Sequence, residues 1–342
     1  MSCNSASPPS AKDRLSSDDF LKTKITKDTW VRPTDCRANI QAILCEVDPG
    51  TDSNQSRPCL GGEKKYIALF EKIYDDLDPI NQKMFCSLRK IYLENHFFAT
   101  AYASSAYELD ADHHMTILPG AIIGIRKSAL DLDPEFSVWA TWKDQLNFTS
   151  IAKDLESPLE YPRFTVSDQN PWFLRYVITH EFGHLFDFAN HLDQITPLDE
   201  SCDQIQDPDE FAKKCPYQFI ENTWGALAWN NFRQVKPEFD FYNRSLLCFY
   251  SCKNHMSPET DVLPFYQGLG HSVFVSTYAA SSAMEDWAES WATYWMLERG
   301  ENFEINASQN YRFKASDIFN SVGFTERKRF IDHFIFSKIK YP

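Results

Sequence analysis

His180 and His184 stand four residues apart, with Glu181 between them, in the run Val177-Ile178-Thr179-His180-Glu181-Phe182-Gly183-His184-Leu185. On a helix this spacing puts two imidazoles on one side, about one turn (roughly 6 Å) apart, where both reach one cation. The surroundings predict such a helix. Asn170-Pro171 reads as an N-cap followed by proline at the first helical position, and no breaker follows until about Ala189. Leu174, Val177, Ile178, Leu185 and Phe188 form one apolar stripe, and Glu181 falls in its middle. A carboxylate there costs several kcal/mol unless a partner or a bound proton relieves it. A cation held by the two histidines is such a partner. Short motifs of this kind also recur by chance; the apolar setting is what favours the metal. Zn²⁺ takes imidazole nitrogen at about 2.0–2.1 Å, and Glu181 is then placed to accept a proton from water.

A catalytic zinc needs a third protein ligand. The metzincin template puts a glycine three residues after the second histidine and a ligand six after it; here those positions hold Asp187 and Asn190, with His191 one place too far along. The alternative lies in Tyr278-Ala279-Ala280-Ser281-Ser282-Ala283-Met284-Glu285-Asp286-Trp287-Ala288-Glu289. Glu285, Glu289, Ala292 and Met296 share one helical face, and two carboxylates among Ala and Met need a common positive charge or donor. Glu285 is then a candidate zinc ligand, and Glu289 a candidate acceptor that orients a ligand imidazole. Equally, Ser282-x-x-Glu285 is a capping box, in which Glu285 bonds back to the helix N-terminus. These residues alone leave the two readings balanced.

The joint pattern resembles a known family. HEFGH followed by Tyr278, Glu285, Ala288 and Glu289 in this register is similar to the gluzincin domain of anthrax lethal factor and the bacterial Pro-Pro endopeptidases. The resemblance implies that His180, His184 and Glu285 bind one Zn²⁺ and that Glu181 is the general base. It also implies that Tyr278 stabilises the oxyanion, with Glu289 orienting a ligand. Asp187 follows HEFGH as in lethal factor, either as a further supporting carboxylate or as an ordinary helix-face aspartate. The interval between the two blocks is far longer than that family has. The implied fold is α+β and zincin-like: a small mixed sheet over the HExxH helix, with a mainly helical C-terminal lobe. The expected activity is zinc-dependent hydrolysis of peptide bonds in a peptide or protein substrate. The rivals are a catalytically silent zinc-binding surface protein and a toxin or effector peptidase with one substrate.

The rest of the chain bounds this reading. Lys and Arg number 34 against 48 Asp and Glu, a net charge of −14 with no basic cluster, which argues against nucleic acid. Cys36, Cys45, Cys59, Cys86, Cys202, Cys215, Cys248 and Cys252 lie in loop-like sequence and point to disulfides and an extracytoplasmic setting. Cys202–Cys215 and Cys248–Cys252 are the most local pairings. The start, Met-Ser-Cys-Asn-Ser-Ala-Ser-Pro-Pro-Ser, resembles the mature end of a bacterial lipoprotein, with Cys3 as lipid anchor and residues 1–20 as a disordered tether. Asn147-Phe148-Thr149 is a glycosylation sequon in a eukaryotic secretory setting.

Residues 21–342 are then one catalytic domain. Helices are expected over Lys64–Leu77, Pro79–Leu93, Phe219–Phe232, Ser282–Arg299 and Thr325–Ile339. Strands are expected over Phe97–Ala103, Met115–Leu118, Ala121–Arg126, Ser137–Trp142 and Val273–Thr277, with Pro119-Gly120 as a turn. Residues 115–126 or 137–142 are candidates for an edge strand that pairs with substrate. The proline- and cysteine-containing stretch of about 192–270 reads as an insert bordering the cleft. His113-His114 reads as a solvated loop, and His271 as no more than a candidate beside the cleft.

Overall fold

β-Branched runs build the largest sheet. In the computed structural model, β1 (Leu44–Val47), β2 (Leu88–Glu94), β3 (Ala101–Leu109) and β4 (Met115–Arg126) pair in the order β1-β2-β4-β3. β1, β2 and β4 run parallel and β3 is antiparallel to β4, so the sheet is small and mixed. The successive residues Ile122 and Ile123 are both 0 % exposed, as in a parallel sheet covered on both faces. Cys45, Val47, Tyr92 and Ile122 form one buried cluster, with Tyr102 packed against it.

The structure describes residues 30–48, 57–109, 115–132, 134–150, 155–166, 173–197, 217–249, 252 and 254–342. The tether, Cys3, Asn170-Pro171, His113-His114 and the Cys202–Cys215 pair lie outside them. The chain is mixed α and β, and it divides into two units. One holds Asp133–Gly183 and Glu221–Ile339; the other holds the sheet, His184–Ile220 and Lys340–Pro342. The boundary falls inside the continuous helix Phe173–Asn190, and the expected insert of 192–270 is shared between the units at Ile220.

In the sheet-bearing unit, Cys36–Cys86 and Cys45–Cys59 are disulfide-bonded. The first closes a sequence separation of 50, which by loop entropy is worth about 4 kcal/mol. In the other unit Cys248–Cys252 is bonded, as its spacing predicts. These three disulfides among the described residues fit an extracytoplasmic location. No helix among the described residues is long and apolar enough to cross a membrane.

Several local expectations are corrected. A helix outside the expected set, Cys36–Ile43, is capped by Asp35 and leads into β1. The helix from Pro79 stops at Met84, because Leu88–Glu94 has strand partners on both sides that outbid its helical pattern. Strand β3 begins at Ala101 and extends beyond Ala103 to Leu109. Pro119-Gly120 is not a turn: β4 runs through it with Gly120 at φ 92°, and the register against β3 shifts between Ser105 and Ala106. One strand is bulged there instead of two being joined.

Ser137–Trp142 is helical, within Phe136–Gln145. Phe136, Trp139, Ala140 and Lys143 recur at helical spacing and are buried, while Val138 is 43 % exposed. Between Phe219 and Phe232 only Gly225–Ala228 is helical, and Val273–Thr277 is irregular. The helices Ala283–Glu298 and Thr325–Phe336 match expectation to within a few residues.

Candidate metal centre

The HExxH helix, Phe173–Asn190, and the glutamate helix, Ala283–Glu298, meet where both have small residues. A Cβ added to Gly183 would lie 2.8 Å from the Ala288 Cα, so glycine is what lets the backbones approach. Trp287 locks the crossing by donating its indole N–H to the Gly183 carbonyl at 2.8 Å. On the far side of the glutamate helix, Asp286 accepts hydrogen bonds from Trp229 Nε1 at 2.8 Å and from Arg327. Ser282 caps the helix, its hydroxyl accepting from the Glu285 N–H at 3.3 Å.

Glu285 and Glu289 flank Ala288 at this contact, and His180 faces both. Its Nε2 lies 3.1 Å from Glu285 Oε2 and its Nδ1 lies 2.9 Å from Glu289 Oε1. The Glu285 side chain is therefore directed at the histidine, while the Ser282 hydroxyl caps the helix. Glu289 is held from three sides, since Ser276 Oγ donates to its Oε2 at 2.6 Å and Tyr176 Oη donates at 3.0 Å.

His180, His184 and Glu285 form the one group among the described residues with three potential metal ligands in reach of each other; one atom from each lies within 4.8 Å of the other two. His184 comes from the same helix as His180, one turn on, and stacks on Phe188 at a centroid distance of 6.3 Å. Neighbouring ligands at 2.0–2.1 Å from a tetrahedral ion are about 3.4 Å apart, close to the His180–Glu285 separation of 3.1 Å. Two imidazoles and one carboxylate fit a divalent transition metal and leave coordination positions open.

The electrostatics favour positive charge. Burial alone would lower the affinity of His180 for a proton, but Glu285 and Glu289 overcome it and raise its pKa to about 10. Burial would likewise raise Glu289, yet its bonds with His180 and its other partners hold it below the usual range. A pair of buried carboxylates around one imidazole demands a proton or a cation.

Glu181 is 5 % exposed, adjoining His180 on the helix. The Tyr278 ring lies 5.7 Å from the His180 ring. The segment before it is fastened twice: Ser276 Oγ accepts from the Ala279 N–H at 3.0 Å while holding Glu289, and Thr277 Oγ1 donates to buried Asp144. The structure thus gathers His180, Glu285, Glu289 and Tyr278 in one unit, with His184 carried on the helix.

The other named residues have these partners. Asp187 Oδ1 accepts from the Asp193 N–H at 2.9 Å, fastening the chain after the helix. Asn190 exchanges hydrogen bonds with the Lys340 backbone at 2.9 and 3.0 Å, and His191, at φ 56°, begins the departing turn. His271 is exposed at the end of its own helix, its Nδ1 2.7 Å from the Gln267 carbonyl oxygen. Asn147 is 2 % exposed and bonded to Cys248 N, so it is a buried structural amide and not an open sequon. Sequence reasoning missed Tyr176, Ser276, Lys143 and Asp144. A lysine and an aspartate beside an aromatic-rich run were the legible signal for the last two.

No family model, curated protein or solved structure matches this chain.

Proposed function

We propose that this protein is a zinc-dependent endopeptidase. The observation that carries the reading is the His180–Glu285 approach of 3.1 Å, within a His180–His184–Glu285 group, on the helix that also bears Glu181. In this reading His180, His184 and Glu285 hold one zinc ion, as in the gluzincin pattern that the sequence resembles. The ion, when bound, lowers the pKa of water toward about 7 and polarises a carbonyl oxygen.

The chain's own residues do the rest. Glu181 accepts the proton of the attacking water and delivers it to the leaving amine. The Tyr278 hydroxyl donates a hydrogen bond to the oxygen that becomes negative, where preorganised donors contribute most. Glu289 accepts from His180 Nδ1, which fixes the ring's tautomer and leaves Nε2 for the metal. Tyr176 and Ser276 keep that carboxylate in place.

The test is metal analysis and peptide-library cleavage by wild type and Glu181→Gln. The wild type is expected to bind one zinc and cleave; the variant keeps zinc and loses at least about 100-fold in kcat. Zinc binding with equal or absent cleavage in both would mean a silent zinc-binding protein. Failure to bind zinc would remove the reading altogether.

A further inference from the structure

Lys143 is a lysine only 9 % exposed, on the helix Phe136–Gln145. Its Nζ sits 3.3 Å from the centroid of the Tyr278 ring, 5.3 Å from that of Trp139 and 5.9 Å from that of Phe249. An ammonium taken out of water is costly, and the ring faces compensate it by cation–π attraction. The carboxylates of Asp144 and Glu289 act on it at longer range.

The same helix end governs the surroundings of Tyr278. Asp144, next to Lys143, accepts the hydrogen bond of Thr277, next to Tyr278. Two successive residues of the helix therefore grip two successive residues of the other segment. Three residues further on, Asn147 Oδ1 accepts from the Cys248 N–H at 2.9 Å. That cysteine closes the disulfide loop carrying Phe249, whose ring meets Tyr278 edge-on at 4.7 Å and 84°. With His180 at 5.7 Å, the phenol ring is bounded by a cation, an imidazole and an aromatic edge.

We propose that Lys143 is a positioning residue for Tyr278, its ammonium on the ring face holding the phenol and strengthening its O–H as a hydrogen-bond donor. This rests on the reading of Tyr278 as the oxyanion donor. A cation over the ring favours electron density moving off the phenol oxygen's proton as the accepting oxygen gains charge. The benefit grows from ground state to transition state, so it belongs in kcat and not in KM.

The experiment is a double-mutant cycle on the zinc-loaded full chain, using a peptide from the library screen. Tyr278→Phe is expected to lower kcat about 100-fold. Lys143→Met lowers it about tenfold with KM and zinc affinity within about twofold, and Lys143→Arg restores most of the loss. In the Tyr278→Phe background Lys143→Met costs nothing more, because its effect passes through the phenol. Lys143→Gln serves the same comparison if methionine is not tolerated in the fold. Equal costs in both backgrounds, or no cost in either, overturn the proposal.

A readout without turnover runs beside it. In protein carrying ¹³C-labelled tyrosine, the Tyr278 resonance, assigned by its loss in Tyr278→Phe, should be displaced by its neighbouring rings. It should move toward the ordinary tyrosine position in Lys143→Met and stay in Lys143→Arg. A resonance unmoved by Lys143→Met overturns the positioning role. Absence of peptide cleavage by the wild type would instead remove the peptidase reading, leaving this spectral comparison to decide the Lys143–Tyr278 relationship.

Discussion

Gly183 and Ala288 touch so closely that a Cβ on the glycine would stand 2.8 Å from the alanine Cα. The contact is between backbones, so no flexible side chain can yield. It lets Glu285 and Glu289 reach the two nitrogens of one imidazole. Gly183 is thus a spacing device for the candidate site as well as part of the fold.

Gly183→Ala is accordingly expected to do harm even though alanine is the better helix former by about 1 kcal/mol. Overpacking costs about 1–3 kcal/mol, and relief comes only by moving the glutamate helix away from His180. Zinc affinity should fall at least about tenfold, measured by competition with a chelating dye, alongside a lower denaturation midpoint. Unchanged values for both would mean that the helices tolerate a wider separation.

Glu285 and Glu289 should separate by metal affinity. Glu289→Gln removes the orienting acceptor and is expected to weaken zinc about 10–100-fold. Glu285→Ala removes a proposed ligand and should weaken it more. A titration in which Glu289→Gln is the more damaging would exchange the two roles.

Asp144 gives a pH signature. Burial, only partly offset by Thr277 and Lys143, raises its pKa from 3.8 to about 7. The folded protein therefore keeps a proton that the unfolded chain releases. Stability from this group is complete below about pH 4 and is lost as pH rises through about 7, at most about 4 kcal/mol. Asp144→Asn cannot ionise, so its stability relative to wild type should improve between pH 5 and pH 8. Parallel stability profiles over that range, measured by urea unfolding, would contradict the assignment.

Arg327 is 2 % exposed, paired with buried Asp286, and its guanidinium carbon lies 4.3 Å from the centroid of the Trp224 ring. Arg327→Ala leaves an uncompensated carboxylate beneath the glutamate helix and should cost about 3–5 kcal/mol. Urea unfolding will show this; a loss below about 1 kcal/mol would mean that Asp286 finds another partner or a proton.

The sequence by itself determined the residues with chemical capacity. An i, i+4 pair of histidines and a helix with carboxylates four apart are local patterns, and helical periodicity alone puts each set on one face. It also carried the mixed α and β character, the Cys248–Cys252 bond and the cap at Ser282. Local pattern could not choose between capping and metal-facing roles for Glu285, because that depends on what stands opposite its helix. It misassigned Ser137–Trp142 and Leu88–Leu93 for a related reason: short apolar runs take the state that long-range partners reward. The tertiary structure decided that Glu285 and Glu289 approach opposite nitrogens of His180. It also brought Lys143 and Asp144 against Tyr278 and Thr277, more than a hundred residues along the chain. Such juxtapositions arise from close packing between distant segments, and no periodicity within either segment encodes them.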